Sequence, residues 1–168
     1  MAVAASILPL KEGSVGDAVV KVQGFLTTLK LYSGKTDGAF GAKTKESVIK
    51  FQTANALKAD GIVGVNTAIA LDNQAWSAKK PILKEGSKGK DVEEFQGLYN
   101  SYFGTLTVDG NFGPKTKAEV IKFQKSRSLT VDGVVGAKTW SSLRTLTTHD
   151  IPVDQQIGFI FDDASQGC

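Results

Sequence analysis

The chain has 168 residues, 41% of them apolar and 22% charged, which are ordinary values for a soluble globular protein. Its net charge of +3, from 20 basic and 17 acidic residues without a dense basic run, is too weak and dispersed for nucleic-acid recognition. No stretch reaches the roughly 20 apolar residues of a membrane span, and the single cysteine, Cys168, excludes an intrachain disulfide.

The N-terminus, MAVAASILPL, is apolar but short. It has no basic run followed by a long apolar core and is not read as a signal peptide. Next comes the block LKEGS at Leu10–Ser14, and then a helix with Val19, Val22, Leu26 and Leu29 on one stripe. The string DGAFGAKTK at Asp37–Lys45 reads as a tight turn released into a second helix. That helix carries Val48 and Phe51, three residues apart. A second turn, DGIVGVNT at Asp60–Thr67, leads into a short last helix ending near Leu71.

The whole order then repeats. LKEGS returns at Leu83–Ser87, and Val92, Phe95, Tyr99 and Tyr102 form the matching helix stripe. DGNFGPKTK at Asp109–Lys117, VIKFQ at Val120–Gln124 and DGVVGAKT at Asp132–Thr139 follow, with Leu143 matching Leu71. The offset is 73 positions at the start and 72 after one deletion. The turn pattern therefore occurs four times. Asp-Gly makes a tight turn with glycine free to take positive φ. The apolar residue (Phe40, Val63, Phe112 or Val135) plugs a core, and the threonine is placed to satisfy amides of the first helical turn. Pro114 suits a first helical position. The predicted fold is all-α, with two tandem three-helix bundles over residues 8–71 and 83–144. A linker at 72–82 contains Lys79-Lys80-Pro81, and a non-repeat tail runs over 145–168.

The ordered set GSxGxxVxxxQ, DGxFGxxT, FQ and DGxVGxxTW resembles the peptidoglycan-binding domain family with its three-helix fold. The second unit matches more closely; the first has Ala42 in place of Pro114 and Ala68 in place of Trp140. The resemblance implies non-catalytic binding of bacterial peptidoglycan, by two modules acting together where both reach the polymer. It implies a place in the bacterial cell envelope or outside the cell. It also implies candidate ligand-binding residues. Phe40 and Phe112 would offer aromatic faces, Asp37 and Asp109 would accept hydrogen bonds, and Thr44, Thr116, Gln52 and Gln124 would complete a polar rim. Tyr32 and Tyr102 are weaker candidates for an aromatic rim. A structural role stands beside each of these, because the same turn recurs in each unit where it cannot all be one ligand site.

No catalytic site, metal site or cofactor is expected. His149 is the only histidine and lies outside both repeats, so neither a zinc site nor a Ser/His/Asp site can be assembled. Glu12 and Glu85 are formally available as carboxylates for glycoside hydrolysis, but they sit beside helix starts. The tail contains an apolar run, IGFIF at Ile157–Phe161, read as a strand or a docking segment for homo- or hetero-assembly with a neighbouring subunit. Two other readings follow: a virion structural component that reuses the fold, and a targeting subunit for a separate wall hydrolase.

Overall fold

The computed structural model describes residues 7–148 and 152–162. Met1–Ser6, His149, Asp150, Asp163 and Cys168 lie outside the described residues. Seven helices occur among those described: α1 (Asp17–Thr28), α2 (Ala42–Ala54), α3 (Val65–Ala78), α4 (Lys90–Asn100), α5 (Pro114–Ser126), α6 (Ala137–Thr148) and α7 (Val153–Asp162). The all-α expectation holds, with three helices in each repeat. The chain divides into two compact units. Unit 1 joins residues up to Ala75 with the segment from Ile151 onward, and unit 2 spans Trp76–Asp150.

Each module folds its two turns against the extended segment before its first helix. In the first module, Leu10 pairs antiparallel with Val63, and Val15 with Ala39. The Phe40 N–H donates to Ser14 O at 2.9 Å, and the Gly13 N–H to Phe40 O at 2.9 Å. The second module repeats this as Leu83 with Val135 and Lys88 with Asn111. These bridges explain the LKEGS block. Its leucine is buried (Leu10 5%, Leu83 4%). Its serine hydroxyl accepts the Lys11 or Lys84 N–H at 3.0 Å. Its glutamate reaches a lysine on the second helix of its own module, Glu12 to Lys45 and Glu85 to Lys117, each at 3.2 Å. Both ion pairs are solvent-exposed and contribute little to stability.

The helices bury the first three residues of each expected stripe; Leu29, just past the end of α1, is half-buried. Val19, Val22 and Leu26 are fully buried on α1, and Val92, Phe95 and Tyr99 are buried on α4. Tyr102 departs from expectation. α4 stops at Asn100, so the helical period ends before it, and Tyr102 is 40% exposed. Pro114 takes the first turn of α5 as predicted.

The tail differs from its prediction in three ways. Its first residues belong to α6, which runs to Thr148. The IGFIF run is helical, not a strand: Ile157, Ile160 and Phe161, at spacings of three and one, share a face. Finally, all three are buried in the core of unit 1. A five-residue apolar run fits either period, and burial against a core of the same chain decides between them. The stretch read as linker, 72–82, is helical through Ala78.

Candidate functional site

The four Asp-Gly turns are held by four buried glutamines, one per turn. On α1, Gln23 accepts the Gly38 N–H at its Oε1 (3.0 Å). Its amide nitrogen faces Asp37 Oδ1 (3.2 Å), Ala39 O (3.1 Å) and Thr44 Oγ1 (3.1 Å). On α2, Gln52 does the same with the Gly61 N–H (3.0 Å), Asp60 (3.2 Å), Ile62 O (2.9 Å) and Thr67 (3.2 Å). In the second module, Gln96 serves Gly110, Asp109, Asn111 and Thr116. Gln124 serves Gly133, Asp132, Val134 and Thr139. A neutral amide suits this post because it carries an acceptor and two donors on one planar group. It reads the turn's N–H with its oxygen and shares its two hydrogens among three oxygens, or four at Gln23, where the Tyr32 hydroxyl lies at 3.4 Å.

The rest of the motif follows from this geometry. Each aspartate accepts the N–H two residues on, at 3.0 Å for Asp37 and 2.9 Å for Asp60, Asp109 and Asp132. That bond is the first cause holding all four carboxyls below their ordinary pKa. The glycines at these turns have φ between 69° and 75°. A Cβ on Gly61 would come within 2.8 Å of the Lys45 side chain, so an L residue there meets both strain and crowding. No side-chain cap bond forms at α2 or α5. Thr44 and Thr116 instead accept hydrogen bonds from Gln23 and Gln96.

The eight residues expected to touch a ligand are therefore placed as follows. Phe40 and Phe112, each 2% exposed, turn their rings into the cores. Thr44, Thr116, Gln52 and Gln124 are buried and occupied by the turn networks. Asp37 and Asp109 are exposed, each with one carboxylate oxygen engaged in its own turn. Asp37, Thr44 and Phe40 do come together, as do Asp109, Thr116 and Phe112. What assembles them is Gln23 or Gln96, which sequence reading passed over. The signal was there: each Asp-Gly turn has one helical glutamine 14, 8, 13 or 8 positions before its aspartate.

Beyond the turns, the aromatic groups of unit 2 form a distinct surface. Phe103 is 43% exposed; its ring lies 4.6 Å from Tyr99 and 6.1 Å from Phe123, both buried. Tyr102 adjoins it at 6.4 Å. The Arg127 guanidinium lies over Phe123 at 5.9 Å. Beside this group the Glu119 carboxylate accepts from Tyr99 Oη (2.8 Å), Thr105 Oγ1 (3.2 Å) and Lys122 Nζ (2.8 Å). Lys122 and then Tyr99 hold Glu119 below its ordinary pKa. Burial, then the Glu119 hydrogen bond, pushes the Tyr99 hydroxyl well up. Among the described residues no group of three or more His, Cys, Asp or Glu side chains is arranged to hold a metal ion. No helix among them is long and apolar enough to cross a membrane.

The sequence pattern of the peptidoglycan binding domain matches twice, at residues 15–71 and 88–143. The chain belongs to the peptidoglycan-binding domain family. Both of its peptidoglycan-binding domains are bounded within the repeats described above. The chain is similar to the zinc D-Ala-D-Ala carboxypeptidase of Streptomyces albus G, with 40% identity over 48% of this chain and 32% of that enzyme. It is also similar to the N-acetylmuramoyl-L-alanine amidase CwlL of Bacillus licheniformis, with 31% identity over 82% of this chain and 45% of the amidase. The chain thus spans less than half the length of either enzyme. A solved structure, the SleB N-terminal domain, shares 37% identity at a TM-score of 0.39, covering 41% of this chain and 96% of that one. The virion reading finds no support in these relatives.

Proposed function

We propose that this chain binds bacterial peptidoglycan through both modules and does not cleave it. The observation that carries this is the presence of two peptidoglycan-binding domains, each with both of its glutamine-held turns intact. The buried glutamines and threonines of each module are occupied in those turns, where they hold the exposed turn aspartates in place. Two modules acting together raise the effective concentration of the second on the polymer once the first is bound. A wall ligand places the site of action in the bacterial envelope.

The test is sedimentation of the intact chain with purified insoluble sacculi. Retention that saturates, without release of soluble muropeptides or clearing of the suspension, is the expected result. Absence of retention at high micromolar protein would refute binding; release of soluble fragments would refute the non-catalytic part.

A second reading has its own support. The relatives are wall hydrolases, and the chain spans less than half of each. On this reading the modules deliver a separate hydrolase to the wall. Co-purification of a wall hydrolase with the chain from its native host is the expected outcome.

A further inference from the structure

We propose that Tyr102, Phe103 and Arg127 form a sugar-stacking ledge on the second module that the first module lacks. The occupant we assign is a glycan segment of the wall polymer, with an amino-sugar ring over Phe103 and a nearby carboxylate on Arg127. This rests on the peptidoglycan-binding reading above and adds to it which module makes the decisive contact and through which residues.

Four features carry the assignment. First, two neighbouring aromatic rings stand about two-fifths exposed, where the core accounts for only one side of Phe103. Second, the ledge is rigid. The Tyr102 and Phe103 N–H groups donate to Tyr99 O at 3.1 and 3.0 Å, and Phe103 is wedged on Tyr99 and Phe123. A rigid aromatic face binds at low entropic cost, and its negative quadrupole meets the C–H face of a pyranose ring. Third, the charge suits an anionic polymer. Glu119 is matched by Lys122, while among the described residues the Arg127 guanidinium pairs with no carboxylate. Fourth, the corresponding region of the first module is built differently. Leu29 and Leu31 pack partly buried on its core, and Asn55, in the position of Arg127, turns its amide back onto Phe51 O at 2.8 Å. Ser47, in the position of Glu119, donates to Leu31 O.

The experiment measures affinity for sacculi with the full chain as wild type, Tyr102→Ala, Phe103→Leu and Arg127→Gln. Phe103→Leu keeps an apolar cover over Tyr99 and removes only the ring. Tryptophan fluorescence melts check that each variant keeps the wild-type fold. We expect Tyr102→Ala and Phe103→Leu each to weaken binding about tenfold. Arg127→Gln should weaken it a few-fold and flatten its salt dependence. Retention of wild type with all three folded variants within twofold of it would overturn the ledge and leave the peptidoglycan-binding reading standing. Failure of wild type itself to bind would overturn both.

Discussion

At one position on its third helix the second module buries Trp140, while the first module buries Ala68. Trp140 packs edge-on against Phe95 at 5.6 Å and Trp76 at 5.8 Å, and its indole N–H donates to Pro81 O at 3.0 Å. Lys80, paired with Glu94 at 2.6 Å, lies 4.7 Å over the Trp76 ring. The second module thus completes its core from its own repeat and the residues just before it. The core of the first has no tryptophan and takes in Ile157, Ile160 and Phe161 from α7. Two repeats with the same pair of turns have reached closure in two ways. The turns fix the fold, and the filling of the core is free to vary around them.

This contrast can be broken by experiment. Trp140→Ala should cost the second module about 4 kcal/mol, enough to unfold a domain of this size, and leave the first module folded. Hydrogen exchange resolved by peptide would show protection lost over 83–144 and kept over 8–71. Equal loss in both would mean that the modules do not fold independently. The converse change, Ile157→Ala with Ile160→Ala on α7, should cost the first module about 5 kcal/mol in total and leave the second unaffected. Tryptophan fluorescence is a direct check, because Trp76 and Trp140 both belong to unit 2. Its melt should not move while the exchange-detected opening of the first module does.

Acid offers a finer comparison. Each module holds two aspartates whose pKa is lowered in the fold, Asp37 and Asp60 or Asp109 and Asp132. The stability they provide is fully present above the ordinary Asp value of 3.8 and is lost as pH falls through the lower folded value. Only the second module adds Glu119, lowered from 4.5 chiefly by Lys122. As pH falls below about 4.5, the fluorescence-detected transition of the second module should drop before the exchange-detected opening of the first. Glu119→Gln should abolish the difference. The smallest effect expected is a gain. Ala42→Pro copies Pro114 at the start of α2 and should stabilise the first module by about 0.5 kcal/mol, read as a small rise in its midpoint in urea.

Much of this was legible in the sequence, because local rules dictate it. Asp-Gly with a following apolar residue and glycine specifies a turn and a helix start wherever it occurs. Phe40 and Phe112 read both as core plugs and as aromatic faces for a ligand, and their burial at 2% exposure favours the plug. The buried glutamines were not legible. A glutamine on an amphipathic helix reads equally as solvent-facing, and only the turn folding back over it buries the amide. Tyr102 fitted the stripe of α4 by spacing alone, and the helix ending at Asn100 took it off that stripe. Ile157 and its neighbours were ambiguous because the destination of α7 lies far away in sequence, where no local pattern points.

That distant destination orders events during synthesis. Unit 1 lacks α7 until the whole of unit 2, Trp76–Asp150, has been made. At translation rates of about 5–20 residues per second, this is a wait of roughly 4–15 seconds. The second module can close on its own residues in that interval, while the first waits with part of its core open to chaperones and proteases. The repeat that is made first is thus the one that is finished last.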